Sequence, residues 1–377
     1  MANIDVISLT RELISFNTIN PPGNESGIAT MLGKLLADNG FEVCLPAYDT
    51  NRLHLVAEKG VSGPVAPLVL SGHFDTVPLG ELKWTREPFS GKIEGDRIYG
   101  RGSSDMKGGV AAMTVAAIEA SSEFSPPGGI RLIFSAGEEL GCQGVQQLVD
   151  THRKLGQARA VIVGEPTANV PAIGHKGALY LRVTTQGKTA HSSMPELGDN
   201  AIYKAAKCIS KIEAFQFEVE KDLLLGYPSI NVGKMQGGMN INSVPDYAEF
   251  SIDVRSTTMV EHKSVLESLF RELGKDVAIE TLVDLNPVNT PEALPFVQLV
   301  YDVCQTDRQD DSWSRSLPYL TDGSVLQPFY GGVPCIILGP GEPGMAHQTD
   351  EFCSIEKIKQ AVSIYKNIIL NRRNENE

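Results

Sequence analysis

The sequence contains few cysteines, and no two of them have the Cys-x-x-Cys spacing of redox or zinc motifs. The six lie scattered at positions 44, 142, 208, 304, 335 and 353, which is typical of small apolar residues in a reducing compartment. The N-terminus also lacks an uninterrupted apolar run, because Asp5, Arg11 and Glu12 interrupt it. We therefore expect no signal peptide and, without a run long enough to span a bilayer, a cytoplasmic protein.

Basic residues are also scarce. The 33 Lys and Arg residues are outnumbered by 46 Asp and Glu residues, and the formal net charge is −13. Nucleic acids and anionic membranes are bound through basic surfaces, so we exclude both as partners. A hydrophobic fraction of 42% is typical of a globular protein, and a length of 377 residues predicts two domains.

Five short, nearly continuous apolar runs predict strands that are buried on both faces, as in a parallel sheet covered by helices. They lie at 53–58, 68–72, 130–136, 160–164 and 335–339. The spacing of apolar residues predicts helices around them, at 3–16, 25–39, 107–121, 141–155 and 294–305. The predicted fold class is α/β.

The segment 177–287 has a different pattern. Its runs predict the order strand, helix, strand, strand, helix, strand, which is that of a ferredoxin-like α+β domain with two layers. We interpret it as an inserted lid domain. Residues 1–176 and 288–377 then form the two parts of the α/β domain, and 307–316 is interpreted as a solvated loop within the second part.

Four of the predicted strands are followed by side chains that bind metals or transfer protons. In chain order these are His73 with Asp75, Glu138 with Glu139, Glu165 and, beyond a loop rich in glycine and proline, His347. Ligands of open parallel sheets bind beyond the carboxyl ends of the strands, so we expect these side chains to converge. Asp105, which lies just ahead of a predicted helix, adds one more carboxylate.

Imidazoles and carboxylates without a thiolate suit zinc or a similar divalent ion. The set is too large for one tetrahedral site, whereas two ions about 3.5–4 Å apart could share a bridging carboxylate. Asp105 is the natural bridge because it comes from a separate segment. Of the adjacent Glu138 and Glu139, one can ligate while the other acts as a general base. Asp75 can accept the second ring N–H of His73 and so orient it.

Several motifs in order resemble the M20 family of metallo-amidohydrolases and peptidases, and within it the acetylornithine deacetylase and succinyl-diaminopimelate desuccinylase group. They are "SGHFDTVP" (71–78), Trp84 with "EPF" (87–89), "IYGRGSSDMKGG" (98–109), "AGEELG" (136–141), "GEPT" (164–167), "GKTAHSS" (187–193), "NSVPD" (242–246), "DVR" (253–255) and "HQTDE" (347–351). The resemblance covers nearly the whole chain. It implies a zinc-peptidase-like mixed sheet flanked by helices, and a lid through which the chain forms a homodimer.

The resemblance also assigns roles to the converging residues. It implies two divalent ions, zinc in the first place, with cobalt or manganese able to share such sites. Asp105 would bridge the ions, Glu138 would be the general base and Asp75 the orienting partner. The peptide bond between Asp105 and Met106 would be cis. The implied terminal ligands are His73 and Glu165 for one ion, and Glu139 and His347 for the other.

Three residues of the lid receive roles through the resemblance alone. His191 would reach into the partner subunit's active site and help to stabilise an oxyanion, although it could simply cap a strand. Asn242 and Arg255 would bind the substrate, with Arg255 on a carboxylate, although they could be ordinary turn and strand residues.

The implied reaction is hydrolysis of the amide bond of an N-acyl amino acid. A dipeptidase or carboxypeptidase of the same family is an alternative, as is a catalytically silent binding homologue, although the intact Glu138 and ligand set argue against the latter. An NAD-dependent oxidoreductase would need a GxGxxG motif after the first strand, and none is there. The loop 320–329 matches neither the deacetylase nor the desuccinylase pattern, which leaves the acyl group open.

Overall fold

The computed structural model describes residues 4–123, 128–151, 155–306 and 315–371. The predicted loop at 307–316 therefore lies outside the described residues, apart from its last two positions. The chain divides into two compact units. One comprises Met1–Gly174, Thr290–Arg315 and Thr321–Glu377, and the other His175–Asn289 and Ser316–Leu320. Sequence patterning had not assigned the short segment 316–320 to the inserted unit.

The larger unit is built on a six-stranded mixed sheet. In spatial order its strands are Glu42–Cys44, Leu55–Lys59, Ile130–Ser135, Leu68–His73, Ala160–Val163 and Cys335–Ile337. The last four are parallel, and every residue in them is buried, as their apolar runs predict. The prediction that 53–58 joins a parallel sheet is wrong in orientation, because Leu55–Lys59 pairs antiparallel with its neighbour.

Helices cover the sheet of the larger unit. Their bounds are Val6–Ser15, Ser26–Asp38, Gly108–Glu123, Gln143–Thr151, Pro295–Cys304, Gly323–Phe329 and Ile355–Leu370. Gly323–Phe329 and Ile355–Leu370 were not predicted. Gly108–Glu123 is the most deeply buried, since small and apolar residues occupy all of its faces. Among the described residues, no helix is both long and apolar enough to cross a bilayer.

Three glycines let segments of the larger unit cross closely beside Glu165. A Cβ added at Gly109, in the buried helix, would overlap with the carbonyl oxygen of Gly164. A Cβ at Gly339, after the last strand of the sheet, would overlap with the same oxygen. We name this feature, formed by Gly109, Gly164 and Gly339, the glycine crossing. It brings the buried helix, the residue before Glu165 and the segment that leads to His347 into backbone contact.

The smaller unit is a ferredoxin-like α+β domain. Its four antiparallel strands, in spatial order, are Ser229–Gly237, Tyr247–Ser256, Gly177–Gln186 and Val277–Leu285. The helices Ala201–Glu213 and His262–Leu273 pack their apolar residues against this sheet. The predicted order of elements is confirmed.

Several short elements complete the chain. A three-stranded sheet consists of Lys92–Glu94, Arg97–Tyr99 and Phe352–Ser354. It pairs the segment that follows His347 with the segment that precedes Asp105. The remaining short strands are Ala47–Asp49, Arg52–Leu53, Gly174–His175, Val288–Asn289 and Ser316–Leu317. All six cysteines are free thiols.

Candidate metal centre

The candidate ligands lie at the carboxyl ends of the parallel strands. His73 is the last residue of its strand, and Glu165 comes just after the end of the neighbouring strand. Glu138 and Glu139 follow the third strand, and His347 follows the fourth through a loop. Because parallel strands present these ends at one edge of the sheet, residues far apart in sequence meet there.

Two groups of candidate ligands share the carboxylate of Asp105. Oδ1 of Asp105 lies 3.2 Å from Nε2 of His73, and that nitrogen lies 3.6 Å from Oε1 of Glu165. Oδ2 lies 3.4 Å from Nε2 of His347, which in turn lies 3.2 Å from Oε2 of Glu139. Within each group the ligand atoms all lie within 4.8 Å of one another. Each oxygen of Asp105 therefore faces a different group.

The charge balance of these residues fits a bound cation. Burial raises the pKa of Glu139, and it raises the pKa of Glu165 to about 8. Burial opposes protonation of His73, but the charge of Glu165 and the hydrogen bond with Asp105 outweigh it and raise the pKa of His73 well above its ordinary value. Hydrogen bonds with Asp105 and Glu139 raise the pKa of His347 to about 10. The buried carboxylates thus have protonated histidines beside them. Divalent ions could supply that positive charge instead.

One oxygen of the site has no hydrogen-bond partner in the part of the chain that the structure describes. It is Oε1 of Glu139, which is buried although its other oxygen contacts His347. A buried carboxylate oxygen without a donor is costly unless something else neutralises it. A metal ion would do so, and we conclude that the residues present fit a dinuclear site.

Glu138 lies outside both groups, although it is adjacent to Glu139. Its side chain is 8% exposed, and its Oε1 accepts a weak hydrogen bond from the thiol of Cys142, with a distance of 3.5 Å from Sγ. Burial raises the pKa of Glu138 well above its ordinary value. Asp322 completes a third group with Glu138 and Cys142, and it accepts a hydrogen bond of 2.7 Å from Ser135. The loop 320–329 therefore contributes a buried carboxylate that sequence reasoning missed.

Asp75 connects the histidine strand to the two glutamates. Its carboxylate accepts hydrogen bonds of 2.9, 3.0 and 3.2 Å from the backbone N–H groups of residues 137–139. Nδ1 of His73 donates to the backbone carbonyl of Asp75 at 2.9 Å, whereas the carboxylate lies 3.6 Å away. The expected contact is thus made by a different atom, since the backbone carbonyl orients the ring and the carboxylate holds the glutamate loop.

A buried network behind Asp75 was also missed. Asn20 donates 2.8 Å to the carboxylate of Asp75, and Arg52 donates to Asn20 and forms a bidentate pair with Glu25, with distances of 2.7 and 2.8 Å. Gly23, with a φ of +80°, packs closely against the guanidinium of Arg52. A Cβ at this position would overlap with the guanidinium. The partners of Asn20 and Gly23 are distant in sequence, so these contacts left no local pattern.

His191 and Asn242 lie in one corner of the smaller unit. The segment of His191 pairs with that of Asn242 through an isolated bridge to residue 243, and Ser192 donates to the carbonyl of Asn242 at 3.0 Å. The ring of His191 is exposed, and its Nδ1 lies 2.7 Å from the hydroxyl of Ser193. The two residues are therefore close together, with their side chains open to solvent.

Arg255 lies near the end of the strand Tyr247–Ser256 in the same unit. Its Nε is 3.0 Å from the carboxylate of Asp253, and its guanidinium lies over the ring of Tyr180, 5.2 Å from the centroid. The guanidinium of Arg255 thus contacts Asp253 along one edge and Tyr180 on one face, and it remains partly exposed.

The peptide bond between Asp105 and Met106 is cis, which confirms the expectation from the resemblance. The bond lies directly after the shared carboxylate.

Comparison with known proteins agrees with this geometry. Residues 69–371 match the model of "Peptidase family M20/M25/M40". A probable succinyl-diaminopimelate desuccinylase from Staphylococcus epidermidis is 31% identical over 97% of this chain and 96% of its own length. An acetylornithine deacetylase from Myxococcus xanthus is 30% identical over 90% of this chain and 87% of its own length.

The fold also has a solved counterpart. An M20 family metallo-carboxypeptidase from Sulfolobus solfataricus superposes with a TM-score of 0.79 at 21% identity, covering 97% of this chain and 98% of its own. That similarity shows a shared fold of mixed sheet and inserted lid. With the family match and the identity to curated relatives, it follows that the chain is a hydrolase of the M20 peptidase family.

Proposed function

We propose that this hydrolase uses two divalent metal ions to cleave the amide bond of an N-acyl amino acid, and that it releases a free amino acid and a carboxylic acid. The observation that carries the proposal is the Asp105 carboxylate, whose two oxygens face two separate histidine-containing groups. The names of the two curated relatives favour an acetyl or succinyl group. The free thiols fit a reducing compartment, and we infer a cytoplasmic location.

The proposed ligands divide evenly between the two ions. His73 and Glu165 would hold one, Glu139 and His347 the other, and Asp105 would serve both. Nitrogen and oxygen ligands suit zinc, and cobalt or manganese can occupy such sites. Such ions, when bound, polarise an acyl oxygen and make water a stronger nucleophile.

Glu138 is the proposed general base and acid. It would accept a proton from the attacking water and deliver it to the leaving amine. Its position outside both ligand groups leaves its carboxylate available, and burial favours its protonated form, so it can hold the transferred proton. Asp75 would keep Glu138 and Glu139 in place, since it binds the backbone of both.

Residues of the lid are proposed to recognise the substrate. The two ligand groups contain three acids and the proposed base adds a fourth, so a substrate carboxylate needs a cationic partner elsewhere. Arg255 offers a planar fork suited to bidentate pairing, and Asn242 could add a hydrogen bond. We propose that the chain forms a homodimer through the lid and that His191 stabilises the oxyanion in the partner's site.

The proposal is tested by a substrate panel. Metal-free protein should be inactive, and addition of zinc or cobalt should restore hydrolysis of N-acetyl or N-succinyl α-amino acids, measured as release of free amine. Preferential cleavage of dipeptides would instead favour the exopeptidase alternative. Inactivity on every substrate with both metals loaded would favour a silent binding homologue.

Arg255 supplies the control for substrate recognition. We expect N-acyl α-amino acids to be cleaved well and their α-amides poorly, because only the free acid pairs with the guanidinium. Arg255→Ala should lower kcat/KM for the acid far more than for the amide, and Arg255→Lys should restore only part of it. Equal losses for acid and amide would show that Arg255 supports the lid and does not bind the carboxylate.

The proposed role of His191 is testable by subunit mixing. Glu138→Gln and His191→Ala chains should each be nearly inactive. A heterodimer of the two combines an intact Glu138 with an intact His191 at one of its two sites, so mixing should restore activity. If verified heterodimers stay inactive, His191 acts within its own chain or outside the site.

A further inference from the structure

The segment after His347 contains a fully buried carboxylate, Glu351, with 0% exposure. Its Oε1 accepts hydrogen bonds from the backbone N–H groups of Ser104 and Asp105, at 2.8 and 3.0 Å. Its Oε2 accepts from the N–H of Gly102 at 3.0 Å and from the guanidinium of Arg101 at 2.7 Å. One carboxylate thus receives four donors from residues 101–105.

These hydrogen bonds connect the segments that carry two candidate ligands. Glu351 lies four residues after His347, and it binds the backbone amide of Asp105 itself. The hydroxyl of Ser104 also donates 2.7 Å to the carbonyl of Phe352, the residue after Glu351. The position of the shared carboxylate is therefore fixed from the segment that carries His347.

We propose that Glu351 is a positioning residue that orients Asp105 between the two metal ions and so sets the affinity of both sites. This inference rests on the proposed two-metal function. Each oxygen of Asp105 has to face its own group, at 3.2 and 3.4 Å from the two histidines, so a small rotation of its backbone would disturb both sites together.

The chemistry of the donors explains why a carboxylate is needed here. An ionised carboxylate offers two oxygens that only accept, and four donors require all of that capacity. A glutamine would satisfy two donors through its oxygen, while its NH₂ group would face the other two. The loop would then have to move, or two buried donors would lose their partner.

Asp350 provides a matched control. This neighbouring carboxylate also accepts from backbone N–H groups, those of Thr85 at 2.9 Å and Arg86 at 3.3 Å, and from the hydroxyl of Thr85. It holds a loop that contains no candidate ligand. Asp350→Asn and Glu351→Gln therefore make the same chemical change at adjacent positions, but only the second affects the Asp105 loop.

The experiment measures zinc affinity by competition with a chelator, together with the absorption spectrum of the cobalt-loaded protein. Glu351→Gln should bind both ions about 10–100-fold more weakly, with an altered cobalt spectrum, and excess zinc should recover much of its activity. Asp350→Asn should match the wild type in both affinities. Thermal unfolding of the metal-free proteins checks that the fold is intact.

A second variant covers the case in which Glu351→Gln does not fold. Glu351→Asp keeps the charge beside Arg101 but shortens the side chain by one methylene, so it should fold and still lose affinity at both sites. Wild-type affinity in a folded Glu351 variant would overturn the positioning role, as would weakening of one site alone. A wild-type chain that holds fewer than two ions would overturn the proposed function, and the positioning role with it.

Discussion

Replacing Glu138 by glutamine should lower kcat by about 10²–10⁴-fold, the usual contribution of a positioned acid–base group, while both metal ions stay bound. The amide cannot accept the proton of the attacking water, yet it has nearly the shape of the carboxylate. Because Glu138 lies outside both ligand groups, the change leaves the ligands in place. Steady-state kinetics at saturating zinc, with the metal content of the same sample, measure both parts.

The adjacent glutamate supplies the matched control. Glu139 contacts His347 at 3.2 Å and belongs to the second ligand group. Glu139→Gln should therefore reduce metal content, and excess zinc should restore part of the activity. The two variants differ by one position in the same loop, which Asp75 holds through the backbone N–H groups of both residues. Exchanged phenotypes would exchange the two proposed roles.

Asp105→Ala should remove most of both metal ions and lower activity to the background of the assay. Every other proposed ligand serves one ion, whereas the oxygens of Asp105 face both groups. Loss of the side chain also removes one anionic ligand from each group, so both sites should weaken together. Metal content after dialysis against a defined zinc concentration gives the result directly.

Glu165→Gln is the comparison for Asp105→Ala. Glu165 lies only in the group of His73, so its replacement should weaken one ion and spare the other. A folded Asp105→Ala protein that keeps two tightly held ions would contradict the bridging assignment. Equal metal loss from both variants would show that the two sites fill only together.

The location of the site could be predicted because it depends on a general property of sheets. Continuous apolar runs mark buried parallel strands, and parallel strands present their carboxyl ends at one edge. The residues that follow those runs, such as His73 and Glu165, therefore had to converge. The proposed division of roles between Glu138 and Glu139 needed more than this, since the sequence allows either to ligate, whereas in the fold only Glu139 lies with Asp105 and His347.

The supporting contacts could not be predicted in the same way. Asp75, Asn20 and Glu351 act through hydrogen bonds to the backbone or to side chains remote in sequence. Every non-proline residue has a backbone N–H. A hydrogen bond to the backbone therefore requires no particular residue type at the donor position and leaves no pattern in the sequence. The orientation of Leu55–Lys59 was missed for a related reason, because a short apolar run is compatible with either direction of pairing.

The glycine crossing has a consequence for directed evolution of this enzyme. At Gly109 and Gly339 any side chain would collide with the carbonyl oxygen of Gly164, which belongs to rigid backbone and cannot turn aside. Suppose that a library is aimed at new acyl groups and randomises these positions. Its variants would then displace Glu165 before they altered a substrate contact.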